Sequence, residues 1–261
     1  MCKIVCLAAV MVLATTGNAA LNVVVTQGEE GDLAELYSST DLIQGMIATE
    51  LAGDLGWHPA NSDPLDQLPA FTDGVGLRVT GLTGLLSDFP GSGLPTKRIQ
   101  YDLSSPTDIA EIRVFSGNSG MDGRVFHTYT VEFSSNDGGI WSTPIYVQSH
   151  ASGTLNNGDW RVVLSQLMDS SGTLAAGVTN LRFDFYAVDN TASQMRDPFA
   201  GVNPYTGVDD GLSAAFVSPL IWEIDVIGAP VPESASLALL GLGLLLIGRR
   251  RRPEPRHSAS C

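Results

Sequence analysis

Two long loop-like stretches hold most of the side chains that could do chemistry. Residues 53–75 carry Trp57, His58, Asp63, Asp66 and Asp73, and residues 189–211 carry Asp197, Asp209 and Asp210. Short carboxylates on glycine-rich loops are the oxygen donors that a hard cation takes, which makes Asp63, Asp66, Asp73, Asp209 and Asp210 candidate ligands of a structural calcium ion. No segment has the ordered ligand loop of an EF-hand, and solvated acidic turns are the competing reading. A sugar needs an aromatic ring for its apolar face and polar side chains for its hydroxyls. Trp57 with His58, and Asn118 with Arg124, are the candidates for that work. Their alternative roles are a loop anchor for Trp57 and a surface charge for Arg124. Catalysis has less to build on. His58, His127 and His150 form no His-Glu-x-x-His metal motif and no nucleophile elbow, and His127 reads as a structural residue on a strand. Paired carboxylates could hydrolyse a glycosidic bond, yet with 28 acidic residues some pair falls at a workable separation by chance.

The elements that must position these residues are strands. The chain between the termini is rich in Gly, Thr, Ser, Val and Asp, with short apolar runs between turn residues. Strands are predicted over residues 21–27, 77–80, 98–103, 109–115, 127–134, 144–148, 160–164, 181–188 and 220–227. Several alternate with a period of two, as in Tyr129-Thr130-Val131-Glu132-Phe133, which predicts one buried face and one wet face. A helix is predicted only over 41–52, capped by Thr40 or Asp41 and stopped by Gly53. The pattern has no fixed repeat and reads as one all-β domain over 21–228, with its strands arranged as a sandwich.

Both ends carry targeting signals. Lys3, the apolar run 4–14 and Gly17-Asn18-Ala19 have the layout of a signal peptide over 1–19. At the other end Val231, Pro232, Glu233 and Ser234 precede an apolar segment, 235–248, and then Arg249, Arg250, Arg251 and Arg252, whose charge favours the cytoplasmic side. Fourteen helical residues reach only about 21 Å against about 30 Å of hydrocarbon, so the expected single transmembrane helix is short, with 253–261 as a cytoplasmic tail. Cys2, Cys6 and Cys261 all fall in these terminal segments, which excludes thiol chemistry from the body. Setting aside Lys3, the four arginines, Arg256 and Glu254 leaves a body of net charge about −19. Such a surface repels phosphate backbones and excludes nucleic acid as a partner.

The carboxyl-terminal order, Val231-Pro232-Glu233-Ser234, apolar segment and arginine cluster, resembles the PEP-CTERM sorting signal of Gram-negative bacteria. Ser234 stands where that family usually has a second proline. The resemblance implies an exosortase-type processing enzyme as partner, a membrane tether through 235–248, and release to the cell surface or beyond, among exopolysaccharide. A second resemblance is carried by three segments: Arg98 through Ile109, followed by Ile112-Arg113-Val114; Thr128 through Trp141, with Asn136-Asp137-Gly138-Gly139 at its turn; and the pair Leu181-Arg182-Phe183-Asp184-Phe185 and Trp222 through Gly228. Over 98–228 these are similar to the discoidin or coagulation-factor type C family. That likeness implies a jelly-roll β-sandwich of galactose-binding-like type. The amino-terminal third matches less well, with only Thr72-Asp73-Gly74 echoing a family element. Together the two resemblances predict an exported, noncatalytic surface or matrix protein that binds exopolysaccharide or a cell-surface glycan or mediates adhesion. The alternatives are a structural matrix or envelope component without a small ligand, and a glycan hydrolase.

Overall fold

The structure, a computed structural model, describes residues 20–29, 31–78, 80–118, 123–150, 161–188 and 195–230. The chain divides into two compact units, Met1–Ala229 and Pro230–Cys261, and every strand described below belongs to the first. The predicted signal peptide over 1–19, the sorting motif at Val231, Pro232, Glu233 and Ser234, the apolar segment 235–248 and Arg249, Arg250, Arg251 and Arg252 lie outside the described residues. Among the described residues no helix is long and apolar enough to cross a membrane.

The architecture is all-β, as predicted. Eight strands follow in order: β1 (Leu21–Gly28), β2 (Thr49–Glu50), β3 (Pro95–Gly117), β4 (Thr128–Ser134), β5 (Ile145–Gln148), β6 (Val162–Asp169), β7 (Ala175–Tyr186) and β8 (Ile221–Gly228). Every pairing is antiparallel. β3 runs 23 residues and serves two layers. Its first half pairs with β2 and β7, and beyond β7 come β4 and β5. Its second half lies between β6 and β8, with β1 outside β6. The crossing falls where the register with β7 shifts between Asp102 and Thr107. Pro106, which has no N–H to give the ladder, sits in that interval. The two strands predicted at 98–103 and 109–115 are therefore one strand bent across the sandwich.

The inner faces share one core. Ile99, Tyr101, Tyr129, Val131, Phe183 and Phe185 of the first layer form a single buried cluster with Ile112, Val114, Leu167, Ile224 and Val226 of the second. The outer faces are less wet than alternation predicts. A second cluster, including Leu33, Phe115, Leu164 and Trp222, is covered by loops on the outside of the second layer. On that same side Glu223 and Asp225 of β8 are buried, and their carboxylates hold the loops down: Gly74 N donates to Glu223 Oε2 at 2.9 Å and Ser38 N to Asp225 Oδ2 at 3.0 Å.

Two predicted elements are corrected. Residues 41–52 form no helix, because Asp41 folds its carboxylate onto Ile43 N at 3.0 Å, Gly45 takes φ +69, and Leu42 N is drawn to Val226 O at 2.8 Å. Those bonds make successive turns, after which Thr49–Glu50 joins β3. Among the described residues of 77–80 no strand forms either: Gly76 and Gly81, both at φ +70, bracket the segment, and Arg78 N turns to Thr83 Oγ1 at 2.8 Å.

Candidate functional site

The loops at the end of the sandwich from which β4 departs converge on one carboxylate. Asp88 takes both oxygens to Arg124, at 2.9 and 2.8 Å, in the bidentate fork that a guanidinium makes with a carboxylate. Asp88 Oδ1 also accepts from Ser218 N at 2.8 Å, and Arg124 Nη1 donates to Ser218 O at 2.9 Å. His58 stands beyond, its Nε2 3.6 Å from Asp88 Oδ2. That separation is too long for a hydrogen bond and leaves a through-space attraction. His58 Nδ1 accepts from Ala60 N at 3.1 Å, which places the ring proton on Nε2, facing the carboxylate. Burial pushes Asp88 upward, but the Arg124 bonds, the Ser218 amide and the charge of Arg124 outweigh it and hold the carboxyl below its ordinary value. The group is therefore a fixed anion that orients two donors.

Phe89 follows at once. It is 73% exposed, and its backbone sits at φ +59, in the left-handed region that a bulky side chain rarely enters. The residue before a proline is normally driven to extended conformations, and Pro90 comes next, so the geometry is doubly unusual. Two contacts hold it there: Phe89 N donates to Phe216 O at 2.9 Å, and the two rings stack in parallel with centroids 5.5 Å apart. The result is a supported aromatic face turned to solvent, one residue from the Asp88 pair.

Of the four residues predicted to meet a sugar, the structure brings His58 and Arg124 together through Asp88. Asn118 closes the end of β3, its N–H donating to Arg161 O at 3.0 Å. Trp57 is turned inward: its ring packs on Phe71 at 5.5 Å and covers the Lys97 ammonium at 4.1 Å. Lys97 itself is fully buried between Glu50 and Asp54. Phe89 and Asp88 were not legible as site residues. The one signal was the Asp88-Phe89-Pro90-Gly91 run, which announces a turn with an aromatic inside it.

The five aspartates proposed as calcium ligands are each engaged by the chain. Asp63 caps the 3-10 turn Pro64–Asp66 by accepting from Leu65 N at 2.9 Å. Asp66 is buried and accepts from the hydroxyls of Thr80 and Thr83. Asp73 pairs with Arg78 and accepts from Val75 N at 2.8 Å. Asp209 and Asp210, on a separate loop, accept from Gly211 N at 2.9 Å and Leu212 N at 2.8 Å. Among the described residues no group of three or more His, Cys, Asp or Glu side chains is arranged to hold a metal ion.

His127 has hydroxyls at both ring nitrogens, Ser116 Oγ at 2.6 Å from Nδ1 and Ser165 Oγ at 2.7 Å from Nε2. Ser116 donates its own proton to Val125 O at 2.7 Å, so His127 Nδ1–H donates to Ser116 and Nε2 accepts from Ser165. Burial lowers the imidazole to about 3, and no solvent reaches it. The Ser–His geometry is a sealed polar core, without access for a substrate.

No protein-family model matches the chain. No characterised protein matches it either. Among solved structures it is similar to that of the CBM32-1, CBM32-2 and M60 catalytic domains of ZmpB from Clostridium perfringens, at 9% identity and a TM-score of 0.38. The similarity covers 83% of this chain and 18% of that one.

Proposed function

We propose that the protein is an exported, noncatalytic carbohydrate-binding domain of galactose-binding-like type, carried to the cell surface or beyond by its PEP-CTERM-like carboxyl terminus. The observation that carries the binding function is Phe89, a solvent-facing ring held at φ +59 beside the Asp88 pair with His58 and Arg124. A pyranose ring presents an apolar C–H face and a hydroxyl edge, and an aromatic platform next to oriented donors matches both. The platform is also preorganised, because Phe216 and the backbone bond fix it before any ligand arrives. Backbone strain of this kind persists where surrounding contacts over-determine it, and it clusters at ligand-binding positions. The strongly acidic body favours neutral sugars over acidic ones. Export and sorting rest on the two terminal segments and are read from sequence.

The experiment is a screen of the full chain in mild detergent against a panel of neutral mono- and oligosaccharides, with Phe89→Ala in parallel. The expected result is saturable binding that falls at least about tenfold in Phe89→Ala while the melting temperature holds. Equal binding by parent and variant removes Phe89 from the site and refutes the reading. Sorting is tested separately by the intact mass of the protein from the host's extracellular fraction: a species ending near Glu233 supports it, and one retaining Arg249 to Arg252 refutes it.

A further inference from the structure

A second surface, away from Asp88, has the features of a ligand groove. β5 is the edge strand of its layer, pairing with β4 alone. Two clefts of about 480 Å³ and 380 Å³ lie along it and adjoin at Thr143 and Ile145, which line both. Trp141 lines the first cleft, and Tyr146 with Tyr205 the second. Among the described lining residues there is no Asp, Glu, Lys, Arg or His, in a chain of net charge −14. An uncharged trough in so acidic a protein favours an uncharged occupant.

Both aromatic ends are fixed in advance. The Arg182 guanidinium lies over the Trp141 ring at 4.4 Å and is itself anchored to Glu132 at 2.7 Å. Tyr205 stacks on Tyr146 with centroids 5.0 Å apart and planes 5° from parallel, and remains 40% exposed. Asn203 locks that pair: its Oδ1 accepts from Tyr205 N at 2.9 Å and its Nδ2 lies 3.3 Å from Tyr146 Oη. Tyr146 is five positions beyond Trp141, a span of at most about 18 Å, which a few linked sugar rings would fill. Between them the polar groups suit hydroxyls. Asn136 uses Oδ1 to accept from Ser134 Oγ at 2.9 Å and Ile140 N at 2.8 Å, which leaves its amide N–H groups as donors at the rim. A peptide strand added to the β5 edge fits less well, since the strand is only four residues long and Pro144, just before it, has no N–H to offer.

We propose that this groove binds an internal segment of a neutral polysaccharide, as a second glycan site; the proposal rests on the reading of the domain as carbohydrate-binding. Arg124 precedes β4 and Asn136 follows it, and the seven strand residues between extend about 23 Å. The Trp141 end of the groove therefore lies at the far end of β4 from the Asp88 pair, while its Tyr205 end returns toward Thr128 through Tyr186, and on this proposal one domain holds two chains at once. The protein cross-links neutral polysaccharide as well as binding it.

The test uses the full chain in mild detergent with soluble neutral polysaccharides (a galactan, a glucan and a mannan), in affinity electrophoresis and light scattering. Trp141→Ala, Tyr205→Ala and Phe89→Ala are compared, and each melting temperature is checked. The expected result is that Trp141→Ala and Tyr205→Ala each weaken polysaccharide binding at least about tenfold and leave small-sugar binding intact. Phe89→Ala does the reverse, and every variant loses the scattering increase that marks cross-linking. Tyr205 is exposed, so its variant reports even if Trp141→Ala unfolds. Unchanged polysaccharide affinity in both groove variants overturns the second site while leaving the Phe89 reading standing. Retained groove binding with no effect of Phe89→Ala overturns only the first site. Capture of extended peptides in place of polysaccharide, or no polysaccharide binding by the parent, overturns the groove as a glycan site.

Discussion

Glu223 gives the sharpest test of how the loops are held on the second layer. Its carboxyl is buried on the outer side of β8, pushed up from 4.5 to about 9 by burial first and then by the charge of Asp225. Asp225 is raised to about 7, again mainly by burial, with Asp41 adding and Arg113 opposing. Tyr37, Tyr101, Asp73 and Asp41 face the same pocket, and Arg113 is the cation that acts on it. Because the folded-state value lies above the unfolded one, the folded protein keeps a proton that the unfolded chain releases. Stability is complete below about 4.5 and declines as pH rises toward about 9. At pH 7 the ionisation of Glu223 in the unfolded chain is worth about 3 kcal/mol, at about 1.4 kcal/mol per pH unit. Glu223→Gln keeps an oxygen for Gly74 N and removes the proton. The variant should match the parent at pH 4.5 and melt about 6 to 12 °C higher at pH 7. Its remaining pH dependence should end near the value of Asp225, about 7. Thermal melts followed by circular dichroism from pH 4.5 to 9 measure this. Parallel curves for parent and variant, with a constant offset, would refute the buried-acid argument.

Further substitutions probe the packing and the site. Gly84→Ala places a Cβ 1.6 Å from Ile221 O at a residue with φ +64, so the chain should lose more than about 3 kcal/mol in urea unfolding or fail to fold. Lys97→Ala removes the buried ammonium between Glu50, Asp54 and the Trp57 ring and should cost about 3 kcal/mol, whereas loss of the exposed Ile140 side chain should cost under about 0.5 kcal/mol in the same assay. Asp88→Asn breaks the charged fork to Arg124 and should lower small-sugar affinity about tenfold, with a stability loss of about 1 to 3 kcal/mol by denaturant titration.

How much could be read in advance depends on how local each cause is. The alternation in 128–134 and 181–185 needs only neighbours along the chain, and β4 and β7 fall there. The all-β class follows from the same pattern. The bend of β3 was not legible, because Ser104-Ser105-Pro106 looks like a turn between two strands unless a second layer waits to receive the continuation. The helix predicted at 41–52 failed for a similar reason. Its apolar spacing is real, since Ile43 is buried and Leu42 packs against the same core, but the backbone bonds that set its shape come from β8 and from Thr72, far off in sequence.

The candidate site shows the same limit at the level of single side chains. His58 and Arg124 were recognisable by type, but the carboxylate that joins them belongs to neither neighbourhood: Asp88 is 30 residues from one and 36 from the other. Trp57 had the right type for a platform, yet a buried Lys97 with two acidic partners needed an aromatic cover, and that need drew the ring inward. Phe89 is the converse, an aromatic kept out of the core by a left-handed backbone that composition does not reveal. In an acidic sandwich the informative residues are those that break the expected sorting. The ammonium inside is held by two carboxylates and the Trp57 ring, and the phenyl ring outside by its stack on Phe216; the sugar we propose for its exposed face is what the Phe89→Ala screen tests.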